Sequence, residues 1–302
     1  MPSPDPPTTT TTTSPPPPPP RPFHPPTTAL LIYPITLLIG SLFSVLSPTA
    51  QGTRSGPPDS IASPRPVNYF ARKDNIFNIY FVKIGWLWTT LALAILILSQ
   101  PAYTATRSTL RPRRSAQALL RYALATSVWY LTTQWFFGPP VIDRSFVLTG
   151  GHCERVVPQA EADPAAVDAK TLFTAVACKS AGGAWTGGHD VSGHVFLLVL
   201  ATSAVVFELV GAAQGYGYGY GLGGESGERE GAELLGLRVW GARFAWAVAG
   251  LGWWMLLMTA IWFHTWFEKL TGLLIALGTV YTIYILPRKV IPWRNVVGLP
   301  GV

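Results

Sequence analysis

Long apolar blocks dominate this chain and restrict what it can fold into. Six stretches of about 20 residues carry almost no charge, the length and composition with which an α-helix crosses the hydrocarbon core of a bilayer. They run over residues 28–47, 78–99, 118–138, 192–214, 240–263 and 266–286. Only 12% of the 302 residues are charged, roughly half the fraction found in soluble domains. We therefore predict an all-α membrane protein with about six transmembrane helices.

The segments outside these blocks differ in composition from the membrane domain, which we place at 28–290. Residues 1–27 are mainly proline and threonine, which offer too little apolar surface to bury, so we predict a disordered cytosolic tail. The Gly-rich segment 215–239 lacks the Gly-Lys-Ser/Thr ending of a phosphate loop and is interpreted as a flexible cytosolic loop. Residues 291–302 are assigned to a cytosolic C-terminal tail.

The basic residues favour a membrane partner over a nucleic acid. The formal net charge is +7, and part of it comes from the cluster RSTLRPRRS at 107–115. Such a cluster beside a transmembrane helix suits the anionic cytosolic face of a membrane. We predict no nucleic-acid partner and two cytosolic termini.

The two cysteines, Cys153 and Cys178, both lie in one predicted extramembrane loop, residues 139–191. A pair confined to one such loop is typical of an oxidising compartment. We predict that the pair forms a disulfide and that the loop is lumenal. The alternative is a zinc site made by both cysteines with His152 and His189, although the adjacent His152 and Cys153 fit one ion awkwardly. The prediction is therefore no metal and no cofactor.

Two histidines are placed where the predicted topology brings them together. His194 begins the fourth apolar block and His264 ends the fifth, so antiparallel helices would present both at the membrane face that carries the cysteine loop. Lys83 lies near the start of the second block and reaches the same face. Ionisable residues at membrane depth are costly and are usually functional. The alternative for Lys83 is a side chain that extends to the interface.

The residues around each histidine suit phosphoryl chemistry. Asp190 or Ser192 is a candidate N-cap, which would put Gly193 and His194 in the first turn of a helix, where free N–H groups attract phosphate. His264 and Glu268 are four residues apart and would share a face if the helix continued through them. A carboxylate there can orient an imidazole and support its positive charge. The alternative is a non-enzymatic protein in which the histidines are interfacial polar groups.

Short motifs in the chain resemble known membrane enzymes. SGH (192–194) and HTWFE (264–268) resemble the second and third motifs of the lipid phosphate phosphatases. Three longer stretches are similar to the fat-storage-inducing transmembrane (FIT) family of the endoplasmic reticulum. They are NIYFVKIGWLWT (78–89), CKSAGGAWTGGHDVSGHVFLL (178–198) and FHTWFEKLTG (263–272). The likeness covers most of residues 28–290.

The resemblance implies an endoplasmic reticulum membrane hydrolase that cleaves the phosphoanhydride of fatty acyl-CoA. The implied products are acyl 4′-phosphopantetheine and adenosine 3′,5′-bisphosphate, and the implied setting is lipid-droplet formation and membrane homeostasis. A non-enzymatic protein that binds di- or triacylglycerol and partitions it into droplets is the alternative.

The phosphatase motifs also imply roles for individual residues. His264 attacks phosphorus with Glu268 orienting it, while His194 protonates the leaving phosphate. Ser192, Gly193 and Asp190 surround His194 in its motif and are supporting or phosphate-binding candidates. The phosphatases' Lys/Arg-Pro motif is absent, and so is the arginine that precedes their last histidine, which leaves Lys83 as the candidate phosphate clamp.

Overall fold

The computed structural model is a bundle of helices with one small two-stranded sheet. It describes residues 26–51, 68–104, 111–134, 139–155, 174–180, 182–216 and 231–302. The main helices of these ranges are α1 (Ile32–Leu46), α2 (Gly85–Ser99), α3 (Arg111–Thr133), α4 (Val141–Leu148), α5 (Ala175–Ser180), α6 (Gly193–Tyr216), α7 (Gly231–Trp262), α8 (Trp266–Val280) and α9 (Ile291–Val297). The strands are β1 (His152–Arg155) and β2 (Gly183–Thr186).

Shorter helical turns extend or connect these elements. Single turns of 3₁₀-helix lie at Thr28–Leu31 and Tyr69–Ala71, and π-helical turns lie at Asn78–Val82 and Tyr281–Ile285. Short α-helical turns lie at Pro48–Gln51, Pro101–Thr104 and Leu286–Lys289. The π-turn at Asn78–Val82 leads into α2, and the one at Tyr281–Ile285 prolongs α8.

The all-helical membrane class is confirmed, and six is an approximate count of the spans. Four helical segments of the described chain are long and apolar enough to cross a membrane, namely Thr28–Leu46, Gly193–Gln214, Leu235–Trp262 and Trp266–Lys289. Helix α2 is apolar but has 15 residues, so it is shorter than a typical span. Helix α3 has 23 residues, but its arginines and other polar side chains lower its hydropathy.

Helix α6 is the centre of the bundle. It packs against α2, α3, α7 and α8, and 89% of its apolar window is buried. Its inward-facing residues include Val195, Phe196 and Phe207, each at most 1% exposed. A helix that is apolar all round is expected at the core of a large membrane bundle, and this burial fixes where its first turn, with His194, can lie.

The large helical segments alternate in direction. Helix α2 ends beside the early part of α7, where Gln100 Nε2 donates to the carbonyl oxygen of Arg238 over 3.1 Å. The later part of α1 lies beside the start of α8, where Lys269 Nζ donates to Ser41 Oγ over 3.0 Å. The ends of α1 and α7 therefore share one end of the bundle with the starts of α6 and α8, and α9 lies at the opposite end.

One segment boundary differs from the one expected. Helix α7 begins at Gly231 rather than at residue 240, so 231–239 are helical and not part of a loop. The C-terminal segment is also packed, since a Cβ at Gly211 would lie 2.6 Å from the Pro300 carbonyl oxygen. Three predicted features lie wholly or partly outside the described residues. They are residues 1–25 of the disordered tail, the end of the third span at 135–138, and residues 217–230 of the Gly-rich loop.

A buried ion pair ties this C-terminal segment to the bundle. Arg121 of α3 and Glu208 of α6 are only 1% and 3% exposed, and Arg121 Nε lies 2.6 Å from Glu208 Oε1. Tyr103 Oη donates to Glu208 Oε2 over 2.7 Å, and Arg121 Nη1 donates to the Val297 carbonyl over 2.9 Å. Each charge thus has partners, which a medium of low dielectric requires.

Replacing Arg121 by leucine is expected to destabilise the protein strongly. The substitution strands the Glu208 carboxylate in the bundle, and breaking a buried pair in this way typically costs about 3–5 kcal/mol. Thermal unfolding of the purified protein in detergent measures the loss. The control is Arg72→Leu, which breaks an ion pair with Asp74 whose side chains are 48% and 66% exposed and should cost far less stability, because solvent screens an exposed pair. Equal losses for the two variants would contradict the prediction.

Candidate active site

The first turn of α6 presents one of the two histidines. Ser192 is its N-cap, with Oγ accepting from Val195 N over 3.4 Å, so Gly193 and His194 occupy the first turn. The Ser192 N–H also donates to the Glu268 carbonyl over 3.1 Å, which joins the starts of α6 and α8. A Cβ at Gly272 would lie 2.6 Å from the Ser192 carbonyl oxygen. The glycine therefore permits the close approach that places the two helix starts together.

The second histidine lies in the turn between α7 and α8, and not within a continuous helix. The spacing of His264 and Glu268 suggested one helical face, but α7 ends at Trp262 and α8 begins at Trp266. A capping box brings the pair together instead: Thr265 Oγ1 accepts from Glu268 N over 3.4 Å, and Glu268 Oε2 accepts from Thr265 N over 2.8 Å. The same Oε2 lies 3.2 Å from His264 Nδ1.

The backbone of His264 is in the left-handed region, with φ of 59°. This is the position just after α7, where glycine is the usual residue. A side chain there costs about 1–2 kcal/mol, and strain of this kind is concentrated at functional sites. A histidine in this place indicates that its imidazole contributes something other than stability.

The two imidazoles lie close together. Their ring centroids are 6.4 Å apart, and the side chains of His264 and Glu268 are each 20% exposed. The His194 ring is stacked on Phe263, also with 6.4 Å between centroids. At this separation both rings can reach one phosphoryl group, because reacting atoms need to approach within about 3–3.5 Å.

Asn78, in the π-turn before α2, binds the other side of His194. Its Oδ1 lies 2.9 Å from His194 Nε2, and the residue is 5% exposed. Two exposed lysines, Lys73 and Lys83, flank this turn, and their charges act on His194. The sequence reasoning included Lys83 but missed Asn78 and Lys73. The available signal was the polar start of the NIYFVK stretch, just ahead of an apolar block.

Residues 139–155, 174–180 and 182–192, here called the disulfide module, lie beside the histidines. Cys153 and Cys178 form a disulfide that links β1 to α5, and β1 pairs antiparallel with β2, with Cys153 opposite Trp185. Phe146 stacks on Trp185 with 4.7 Å between ring centroids. Because the sulfurs are bonded to each other, neither is a thiolate available to zinc. The described residues contain no group of three or more His, Cys, Asp or Glu residues that could hold a metal ion.

The disulfide module rests on the first turns of α8. His189 Nε2 lies 3.1 Å from Thr271 Oγ1, and its ring centroid lies 4.6 Å from that of Phe267. On the other side, the His189 N–H donates to Thr149 Oγ1 over 2.7 Å. His189, weighed above as a zinc ligand, therefore holds the disulfide module against the helix that carries Glu268.

Two carboxylates of the disulfide module titrate abnormally. Burial raises the pKa of Asp190; His264 opposes this increase and Glu268 adds to it. Burial also raises the pKa of Asp143, while a hydrogen bond from Ala175 N to its Oδ1, at 3.4 Å, acts in the opposite direction. Asp190 is therefore within electrostatic reach of the His264–Glu268 pair.

Replacing Asp143 by asparagine is expected to raise the melting temperature at neutral pH. A carboxyl whose pKa is higher in the folded state stabilises that state below its unfolded pKa of about 3.9, and this contribution is lost as pH rises through the folded pKa. Asparagine stays neutral and keeps the Oδ1 acceptor for Ala175. The melting temperatures of the wild-type protein and of Asp143→Asn are measured from acid to neutral pH. The two values should become equal at the acid end of this range.

The control for Asp143 is Asp74→Asn. The hydrogen bond from Arg72 lowers the pKa of Asp74, so its contribution has the opposite sign and is present above the unfolded pKa. This variant should not gain stability at neutral pH. A gain of equal size in both variants would show that burial of Asp143 is not the cause.

The structure thus assembles most of the residues selected from the sequence. His264, Glu268 and Ser192 are linked by hydrogen bonds, and the ring centroid of His194 lies 6.4 Å from that of His264. Asp190 and Lys83 are close enough to act electrostatically on these histidines. His152, the remaining candidate of the zinc alternative, lies on β1, where its Nδ1 is 3.4 Å from the Gly150 carbonyl oxygen.

Comparisons with known proteins agree with the motifs. Residues 66–284 match the family model described as fat storage-inducing transmembrane protein. The chain is 33% identical to the acyl-coenzyme A diphosphatase fit1 of Schizosaccharomyces pombe over 241 residues, covering 80% of this chain and 77% of that protein. It is 27% identical to the acyl-coenzyme A diphosphatase FITM2 of Mus musculus over 228 residues, covering 74% of each. No solved structure is a significant match.

Proposed function

The chain belongs to the fat storage-inducing transmembrane (FIT) family, and from this premise we propose that it is an acyl-CoA diphosphatase. It cleaves the phosphoanhydride of a fatty acyl-CoA to acyl 4′-phosphopantetheine and adenosine 3′,5′-bisphosphate. The observation that carries the proposal is the arrangement of His264 and His194. One imidazole is held by a carboxylate, the other by a neutral amide, and their centroids are 6.4 Å apart.

The different partners assign different roles to the two imidazoles. The Glu268 carboxylate accepts a hydrogen bond from the Nδ1–H of His264, which leaves the Nε2 lone pair to attack phosphorus, and the carboxylate charge stabilises the cationic phosphohistidine. The N–P bond forms at the phosphorus that carries acyl-pantetheine as the anhydride P–O bond breaks, and the leaving phosphate of adenosine 3′,5′-bisphosphate takes a proton from His194. In the second step His194 accepts a proton from water, the water oxygen bonds to phosphorus, and His264 departs. All atoms and charges are thereby returned to the starting enzyme.

The start of α6 and two lysines supply the anion-binding groups. The first turn of a helix presents free N–H groups and the positive end of the helix dipole, which favour phosphate. Gly193 and His194 occupy this turn, and the charges of Lys73 and Lys83 act on the same region. These cations replace the arginine and Lys/Arg-Pro motifs of the lipid phosphate phosphatases.

The proposed cellular setting is the endoplasmic reticulum membrane, with the site facing the lumen. The disulfide module belongs to an oxidising compartment and lies against the histidines, while α9 lies at the opposite end of the bundle. The two termini are then cytosolic. Hydrolysis of acyl-CoA at this membrane supports lipid-droplet formation and lipid homeostasis.

Glycosylation is expected to report this orientation. An acceptor site inserted between residues 156 and 173 should be modified, because that segment joins in sequence the two parts of the disulfide module, which we place in the lumen. An acceptor inserted between residues 217 and 230 should stay unmodified. A change in electrophoretic mobility after enzymatic deglycosylation shows whether each inserted site is modified. The reverse pattern would place the histidines in the cytosol and contradict the orientation.

The activity is tested with purified full-length protein and oleoyl-CoA. Mass spectrometry should detect equal amounts of oleoyl 4′-phosphopantetheine and adenosine 3′,5′-bisphosphate, and the doubly substituted protein with His194→Gln and His264→Ala should produce neither. Absence of hydrolysis by folded wild-type protein that still binds di- or triacylglycerol would replace the proposal with a lipid-partitioning role.

A further inference from the structure

Asn78 makes four hydrogen bonds that connect His194 to the segment before α2. Its side chain bonds His194 through Oδ1 over 2.9 Å and the Lys73 carbonyl through Nδ2 over 2.7 Å. Its backbone N–H donates to Asn75 Oδ1 over 2.8 Å, and its carbonyl accepts from Lys83 N over 2.9 Å. The residue is 5% exposed, so its side chain is held between protein groups.

These bonds determine which way the amide of Asn78 faces. A backbone carbonyl oxygen can only accept, so the group directed at the Lys73 carbonyl must be the NH₂ of the amide. The oxygen then faces His194. Because Oδ1 can only accept, His194 Nε2 must carry the hydrogen.

We propose that Asn78 is a positioning residue that holds the neutral His194 imidazole in its Nε2–H tautomer and directs Nδ1 to the substrate. The two bonds of the buried amide to His194 and to the Lys73 carbonyl carry this inference. In a neutral histidine, a hydrogen bond at one ring nitrogen determines whether the other nitrogen carries a hydrogen or a lone pair. The catalytic consequence rests on the proposed function: the His194 imidazolium donates its Nδ1 proton to the leaving phosphate, which leaves the neutral Nε2–H tautomer, and Nδ1 of that tautomer recovers the proton from water.

The neutral side chain of Asn78 suits the proposed role of His194 as an acid. An amide orients the ring of His194 without adding a negative charge that would hold the proton, whereas Glu268 gives His264 such a charge. The charged groups that act on His194 from the neighbouring elements are His264, Lys73 and Lys83. These are cations when ionised, so a carboxylate at position 78 would add a charge of the opposite sign.

Two substitutions of Asn78 should move the pH–rate profile in opposite directions. Asn78→Asp keeps an acceptor for Nε2 and adds a charge, so the alkaline limb of kcat/KM should move to higher pH, by about 1–3 units for a charge at this distance. Asn78→Leu removes the acceptor, so the limb should move to lower pH. At neutral pH the activity of the leucine variant should be roughly 10- to 100-fold lower. Losses of this size are typical when the hydrogen-bond partner of a metal-bound histidine is removed.

Asn75→Ala is the matched control. Asn75 is a buried amide of the same segment, and its Oδ1 contacts the Asn78 N–H rather than His194. This variant loosens the turn but leaves the Asn78 side chain in place, so it should lower activity without moving the alkaline limb. Movement of the limb by the same amount and in the same direction in all three variants would overturn the positioning role.

The tautomer can be measured without any activity. Nitrogen NMR of the full chain labelled with ¹⁵N in its histidine rings, with the His194 signals identified by their loss in His194→Gln, should show Nε2 protonated and Nδ1 unprotonated in the neutral ring. In Asn78→Leu the neutral ring should populate both forms. Finding the Nδ1–H form in the wild-type protein would overturn the inference, even if acyl-CoA is hydrolysed. Finding the Nε2–H form without hydrolysis would contradict only the proposed function.

Discussion

Replacing His264 by alanine is expected to abolish the hydrolysis of oleoyl-CoA. The covalent route needs the Nε2 lone pair of this imidazole, and removal of a nucleophile lowers turnover by roughly four orders of magnitude or more. Since Lys73, Lys83 and the first turn of α6 remain in place, KM should change far less than kcat. Initial rates of the purified variant, measured at equal protein concentration, provide the comparison.

Two neighbouring substitutions separate the chemistry of His264 from the shape of its turn. Glu268→Gln keeps an oxygen that can accept from Thr265 N and His264 Nδ1 but removes the charge, so its loss of kcat should be smaller than that of His264→Ala. Thr265→Ala removes the acceptor for Glu268 N and should cost about 1 kcal/mol of stability, as lost helix caps do. The expected order of activity loss is His264, Glu268, then Thr265.

The proposed phosphohistidine at His264 can be detected directly. Protein quenched during turnover of a substrate labelled with ³²P at the transferred phosphoryl group should carry acid-labile label on His264, and His264→Ala should carry none. Near-normal hydrolysis by His264→Ala would eliminate its role as the nucleophile. Label on His194 instead would exchange the roles of the two histidines.

Much of the fold can be predicted from hydropathy alone, and the errors of that prediction have a physical cause. A count of apolar residues locates helices α6, α7 and α8, because a span must be about 20 residues long and nearly uncharged. The same count cannot show that the second block is divided into a π-turn at Asn78–Val82 and the 15-residue α2. Backbone hydrogen-bond pattern, which differs between these two segments, leaves no trace in hydropathy.

The site was partly predictable for similar reasons. Two cysteines allow one pairing, so the disulfide required only the inference of an oxidising loop. The contact of His264 with Glu268 was expected from helical spacing, yet it is made by the capping box Thr265-x-x-Glu268, a sequence pattern for the start of a helix. Asn78 was missed because its contact with His194 spans 116 residues of sequence, and no local pattern encodes such a pairing.

Replacing His194 by glutamine is expected to slow acyl-CoA hydrolysis by about 10²- to 10⁴-fold, the usual contribution of a positioned general acid. The size of this defect should depend on the leaving group. A 2,4-dinitrophenyl phosphodiester of acyl-pantetheine releases a nitrophenolate that is a weaker base than the leaving phosphate and departs without a proton, so the first step should proceed nearly as fast in His194→Gln as in the wild-type protein. His264→Ala should fail with both substrates, because its defect precedes departure of the leaving group.

The second chemical step makes the role of His194 visible in a single time course. Hydrolysis of the phosphohistidine still needs a base for water, and His194→Gln lacks one. The variant should therefore release one equivalent of nitrophenolate per active site in a rapid burst and then continue slowly, whereas the wild-type protein should turn over steadily. A defect of equal size on both substrates, with no burst, would mean that His194 serves binding or folding rather than proton transfer. A burst followed by slow turnover would show that His194 is the base of the second step, and a slow first step with acyl-CoA but not with the activated substrate would show that it is the acid of the first.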